Sequence, residues 1–532
     1  MLKKESTTPL RENVKRLGEM LGLTLKEQMG ESFYQIVESI RKLSKEAHQK
    51  EGFNPEALIQ TLQSLSPKTM VGVIRAFSHF LNLANIAENH HRLRQSRWHQ
   101  RFRPDKPQKG SLEWLFKESQ HKPISPEKMR EAVKACQLEL VLTAHPTEVL
   151  RRTLIQKFDT IRHALSQLDR DDLTHKEHER LQQMLHEEIT AIWLTDEIRR
   201  RRPTPVDEAK WGFAIIENSL WQAVPEFLNS LESEYLAYTG EALPLDATPI
   251  RFGSWMGGDR DGNPNVTHEV TEEVCLLARW SAAHLYEKAV HALSADLSMS
   301  KGSKKLLERA QQDAEPYRFV LRQLREKLNQ TIRGLEAQMD WGASRTDIIH
   351  DKEEILEPLL LCYDSLHEVG AGILAEGALK DLIRRVHCFG LTLARLDIRQ
   401  ESSIHAHVMK TIFDKLGIHH ASLSEDDHLK LLLKMCQTPE QYPLSKEGLE
   451  GMDLEVWQTI ELIKTQPEDT FGAYVISMAH GPIDVLTVLA LQKLAGVETP
   501  IRIVPLFERL EDLNRAGESL EALLSLPLYR NL

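Results

Sequence analysis

The sequence is poor in the features that mark an unusual environment. Its five cysteines, Cys136, Cys275, Cys362, Cys388 and Cys436, are odd in number, far apart and without a C-x-x-C pair. Neither a disulfide framework nor a zinc site is therefore suggested. No apolar run approaches the roughly 20 residues that a membrane-crossing helix needs. The opening MLKKESTTPL has no apolar stretch of the secretory kind. No low-complexity tract and no repeat of fixed period is found. The simplest expectation is a soluble, cytoplasmic protein. With a formal net charge of −11, general binding to nucleic acid or to an anionic membrane is disfavoured. Local arginines can still reverse the potential inside a cleft.

What is present is ordinary globular material, 41% hydrophobic and 27% charged, in a chain of 532 residues that is ample for a large core. Helical periodicity dominates. Leu150, Leu154, Phe158, Ile161 and Leu165 form one apolar stripe, and Leu321, Leu324, Leu328, Ile332 and Leu335 another. Residues 10–100, 154–240, 270–395 and 403–470 read mainly as helices.

Five short segments break this habit: Leu138–Ala144, Thr248–Trp255, Leu391–Ile398, Ala473–Met478 and Ile501–Phe507. Each is apolar or β-branched, and each is followed by polar residues and then by a helical pattern. Repeated strand-then-helix implies parallel strands with helical crossovers. The polar motifs HPTE, GGDRDGN, RQES, AHGP and ERLED stand at the C-terminal ends of these segments, where a β/α barrel assembles its active site. The expected fold is mostly α with a parallel β/α barrel. It has a TIM-barrel-like core, about five of eight strands present, embedded in many extra helices. The expected division is an N-terminal helical region over residues 1–135 and an incomplete barrel with long helical insertions over 136–532.

Each motif has a chemical and a structural reading. In VLTAHPTEVLRRT a strand stops at His145, Pro146 suits the first turn of a helix, and Glu148 suits its positive end. A histidine at such a junction suits a general base or a stabiliser of an anionic intermediate. It equally suits hydrogen bonding to its neighbours. In FGSWMGGDRDGNPN, Gly257, Gly258 and Gly262 allow close backbone approach. The acidic spacing fails as a calcium loop, with Pro264 and Val270 at the positions that need Gly and Glu. The loop is either an anion site shaped with Arg260 or a tight turn capped by its own Asp side chains.

In LDIRQES, Asp397 and Arg399 share one face of a strand. Arg399 is either a clamp for phosphate or carboxylate, or half of an Asp–Arg ion pair. Glu508 follows an apolar strand in VPLFERLED and is a candidate ligand for a hard divalent cation, or a helix N-terminal acid. Arg92, Arg94, Arg97, Arg101 and Arg103 cluster around Trp98, and Arg199–Arg202 run together. Ion-paired or solvated helix faces are the commoner account of such patches.

Taken in order, VLTAHPTE, TDEIRRRRPTP, FGSWMGGDRDGNPNVT, LDIRQES, YVISMA and PLFE closely resemble the phosphoenolpyruvate carboxylase family, over essentially the whole chain. The resemblance implies carboxylation of phosphoenolpyruvate with bicarbonate to oxaloacetate and phosphate, through carboxyphosphate and the enolate of pyruvate. It implies Mg²⁺ (or Mn²⁺) as cofactor and a homotetramer. It assigns catalysis to His145 and Arg399, substrate binding to Arg399, Trp255 and Arg260, and a metal carboxylate to Glu508. The family pattern continues with a YSDS-like strand end bearing the second metal carboxylate, then an HGRGG loop, and neither occurs in this sequence. The expectation is therefore a fragment or truncated chain, with a catalytically silent helical scaffold or regulatory half-enzyme as the alternative. Another Mg²⁺-enolate barrel enzyme is a third reading, against which the order of the motifs argues.

Overall fold

The computed structural model describes residues 7–49, 56–122, 124–143, 152–196, 203–340, 347–420, 423–444 and 446–530. His145, Glu148, Arg151 and Arg199–Arg202 lie outside these residues. The chain forms two compact units, one of Met1–Lys122 with Leu150–Arg202 and one of Pro123–Val149 with Pro203–Leu532.

The first unit is helical. Thr8–Met29, Glu31–Gln49, Pro67–Phe102, Arg152–Leu168 and His175–Leu194 are its longest elements. Ser66 starts the Pro67–Phe102 helix, its side chain accepting from Thr69 N, and Pro67 fills the first turn where a missing N–H is harmless. Leu17, Leu21 and Leu25 from the first helix meet Ile86, Ile161, Leu165, Leu185, Ile189 and Trp193 in a common core. Each such side chain contributes on the order of 2 kcal/mol when fully buried.

The Pro67–Phe102 helix has an 18-residue window of mean hydropathy 1.2, long and apolar enough by those measures alone to cross a membrane. Its buried face carries His79, His90 and His91 as well as Val73, Leu83 and Ile86, and it packs on Thr8–Met29 and Arg152–Leu168. In the basic cluster, Arg92 pairs with Glu88 and Arg94 with Asp169.

The division of the chain falls elsewhere than at residue 135. The helices after the first strand return to the N-terminal helices, because the stripe that includes Leu154, Ile161 and Leu165 is buried there.

The second unit holds five strands among the described residues: β1 (Leu138–Leu142), β2 (Ile250–Ser254), β3 (Arg395–Glu401), β4 (Phe471–Ser477) and β5 (Arg502–Pro505). They form one parallel sheet in chain order, β1-β2-β3-β4-β5. β4 is buried almost throughout, as a parallel strand covered on both faces must be. The Pro482–Leu494 helix behind it is buried over Val485–Gln492, which matches its apolar sequence on every face. The third strand starts later than its sequence suggests. Leu393 sits at φ 63, so Leu391–Ala394 is a turn and the pairing begins at Arg395. All five cysteines are free thiols.

The sheet is curved. Glu139 of β1 and Arg502 of β5 form an ion pair although four inter-strand steps separate their strands. In a flat sheet that would be roughly 19 Å, beyond the reach of the two side chains. The inner face is therefore concave, as in an arc of a barrel.

Candidate functional site

The C-terminal ends of β1, β2 and β3 converge on one cavity of about 380 Å³. Its walls include Thr143, Glu208, Trp255, Asp259, Asp261 and Arg399. The loop after β2 is built to come this close. Gly257 adopts φ 83, and a Cβ there would lie 2.5 Å from Val274. At Gly258 a Cβ would lie 2.0 Å from the backbone oxygen of Asp397, so only glycine lets the loop lie against β3. Two backbone bonds then tie loop to strand: Arg399 N donates to Gly258 O and Arg260 N donates to Arg399 O, both at 2.9 Å.

Arg399 projects from the end of β3 into a group of three carboxylates. Its guanidinium lies 2.6 Å from Asp261, 3.3 Å from Asp259 and 3.4 Å from Glu508. Its Cζ stands 5.1 Å from the Trp255 ring centroid, a cation–π distance. Burial pushes the Asp259 carboxyl upward, while the Arg399 charge holds it down in part. Burial also raises Glu208, helped by the charges of Asp207 and Asp259. The cavity thus presents one guanidinium among acids, a geometry in which the oxygens of an incoming anion could replace an internal carboxylate.

Asp397 does not pair with Arg399. Its Oδ2 accepts the Trp255 indole N–H at 3.0 Å and its Oδ1 accepts Ala473 N at 2.8 Å. The structural alternative of an Asp397–Arg399 ion pair is therefore not what forms.

Arg260 has a different position from the one expected of a substrate-binding residue. It is buried at 7% exposure, with its guanidinium donating to Gly258 O and to Thr271 Oγ1. It braces the loop from within. Aspartate capping of the loop is present as well, since Asp261 N donates to Asp259 Oδ1.

Glu508 stands just beyond β5, its side chain about one-third exposed, and accepts Met478 N at 3.2 Å. Met478 itself is at φ 53, a left-handed turn that ends β4 and aims its N–H at that carboxylate. Glu508 is the carboxylate here that could hold a hard divalent cation, whose preferred ligands are oxygens. A second cluster, His268, Glu269 and Glu455, has ligand atoms within 4.8 Å of one another. There Glu455 bonds His268 through both the backbone N–H and Nδ1, which accounts for the cluster as a helix N-terminal cap. The partnership of Arg399 with Asp259 and Asp261 was not read from sequence, nor was the place of Glu208 in the cavity wall.

The sequence pattern of the phosphoenolpyruvate carboxylase family matches residues 10–532. This chain belongs to that family. Phosphoenolpyruvate carboxylases from Ectopseudomonas mendocina (strain ymp) and Pseudomonas aeruginosa PAO1 are each 46% identical to it, over 529 and 535 residues. The Alcanivorax borkumensis family member is 45% identical over 529 residues. Each match covers 98% of this chain, and the chain spans 59–60% of the length of these relatives. The family accounts for the order of the motifs and for the mostly helical fold around a parallel sheet.

Proposed function

We propose that this chain acts in the carboxylation of phosphoenolpyruvate with bicarbonate to oxaloacetate and phosphate, an anaplerotic carbon-fixing reaction of the cytoplasm. The supporting observation is the placement of Arg399 at a strand end, over Trp255 and beside Glu508, in a cavity sized for a small anion.

In this reading the Arg399 guanidinium leaves Asp261 and takes the phosphate oxygens of phosphoenolpyruvate, neutralising charge as phosphorus is attacked. A bicarbonate oxygen forms the new O–P bond, and the enol C–O–P link breaks with its electrons passing to the enolate. Carboxyphosphate then splits into CO₂ and phosphate, and the enolate carbon bonds the CO₂ carbon. His145, by family resemblance, handles the carboxyphosphate proton. A divalent cation held at Glu508 would supply Lewis acidity to the enolate oxygen. The Trp255 indole covers one side of the cavity and helps to keep water from protonating the enolate. A homotetramer is the assembly that the family suggests.

The test is titration of phosphoenolpyruvate into this chain, with bicarbonate-dependent oxaloacetate formation followed in parallel with Mg²⁺. Binding that Arg399→Met abolishes, and turnover that His145→Asn abolishes without loss of binding, are expected. Binding that survives in Arg399→Met would sink the assignment. Binding without turnover in the unaltered chain would favour the silent-scaffold reading.

A further inference from the structure

Asp397 touches the cavity wall through Trp255 without lining the cavity itself. It is 6% exposed, and both oxygens are engaged, one by the Trp255 indole N–H and one by Ala473 N. The Arg399 guanidinium carbon stands 5.1 Å from the centroid of the same ring. We propose that Asp397 is a positioning residue that fixes the Trp255 indole against Arg399, and that a proton on Asp397 releases the indole and weakens the anion-binding side of the cavity.

The geometry supports this directly. An ionised carboxylate can accept both N–H groups, whereas a protonated one carries an O–H that competes with one of the two donors. Trp255 has a single N–H, so losing that bond frees the ring to turn about its side-chain torsions. The surroundings make protonation accessible. Burial raises Asp397 to about 6, against the pull of the two hydrogen bonds. Glu139 from β1 adds to the rise and Arg502 from β5 opposes it. From β4 the facing group is Gly472, which has no side chain, and from β3 itself Arg395 stands beside it on the same face. Above that pH the carboxylate is charged and the indole is held; below it the hold is lost.

The inference rests on the reading of the cavity as an anion site, and the test separates the two. Tryptophan labelled with ¹⁵N at the indole reports each ring, with Trp255 assigned by its disappearance in Trp255→Phe. The Trp255 signal should follow one titration step near pH 6 and lose it in Asp397→Asn. Glu139→Gln should move the step to lower pH and Arg502→Met to higher pH, which keeps the test open should Asp397→Asn fold poorly. Sulfate, whose charge is constant over this range, should bind several-fold more weakly below the step in the unaltered chain and without a step in Asp397→Asn. A Trp255 signal that is flat with pH, or that titrates unchanged in Asp397→Asn and in both charge variants, overturns the proposal. Sulfate binding indifferent to Arg399→Met would instead overturn the anion-site reading and leave the indole titration standing.

Discussion

Glu139 Oε2 and Arg502 Nη2 meet at 3.1 Å across the concave face of the sheet, joining its first and last strands where no backbone pairing does. Glu139 is the less exposed partner, at 24% against 59% for Arg502. The pair should contribute a coupling of about 0.2–1 kcal/mol, the range for exposed ion pairs. A double-mutant cycle of Glu139→Gln and Arg502→Met, followed by chemical denaturation, measures it. Additive single effects would show that the two side chains are neighbours without energetic consequence.

The glycines that face Asp397 leave no room for a methyl group. A Cβ at Gly472 would stand 2.5 Å from Asp397 Oδ1, and one at Gly258 would stand 2.0 Å from Asp397 O. Each Gly→Ala change should destabilise the fold by about 1–3 kcal/mol through overpacking. Gly258→Ala should also weaken sulfate binding, because it forces the loop away from the strand that carries Arg399. Wild-type denaturation midpoints in both variants would contradict the packing described.

The acid response of the second unit should depend on His405. It is buried at 1% exposure with Nε2 2.9 Å from the Tyr474 hydroxyl, and burial holds it neutral down to about 3. Its folded value lies below its unfolded one, so the unfolded chain binds the extra proton. Stability from this group is therefore complete above the ordinary imidazole range and is lost as pH falls from about 6.5 towards 3. His405→Phe should start from a lower stability, since the tyrosine hydroxyl loses its partner, yet decline less steeply over that window. Denaturation midpoints at four or five pH values decide it.

Asp397 works in the opposite sense. Its folded value is raised, so its contribution is present below about 3.8 and disappears as pH rises through about 6. Glu139→Gln, by lowering that value, should reduce the loss of stability between these limits. The same denaturation series reads it out.

Freeing Arg399 should strengthen anion binding. Asp261 is its nearest partner, at 2.6 Å, and Asp261→Asn removes one negative charge from the group of three. Sulfate or phosphoenolpyruvate affinity should rise about fivefold, the equivalent of roughly 1 kcal/mol. Calorimetric titration measures it, and a fall in affinity would mean that Asp261 holds Arg399 in its binding pose.

The strands and their polar ends were legible because parallel strands read as short apolar runs that helices of this length do not imitate. β4 and β5 lie where Ala473–Met478 and Ile501–Phe507 placed them, to within three residues at either end. The start of β3 was not legible, because the positive φ of Leu393 leaves no mark in an apolar run. The division into units was hidden for a similar reason: an amphipathic stripe such as Leu154, Ile161 and Leu165 states that it is buried, not against what. Arg260 and Arg399 carry the same group, yet one braces a loop and the other enters a cavity. The partners that separate them, Thr271 for one and Asp261 for the other, are set by the turn of the loop. Asp261 lies 138 residues from Arg399, a distance over which no spacing rule applies.

The paired backbone bonds between Gly258–Arg260 and Arg399 also bear on how quickly the cavity can be filled. Because the acidic loop and the arginine are sewn to one another, no swinging door separates them. Exchange of carboxylate for ligand at Arg399 then needs no parting of this loop from β3, only rotation of side chains, which is a nanosecond event. Association of small anions should then be limited by their supply and by ionic screening, and rapid-mixing traces should show a single phase whose rate rises linearly with concentration.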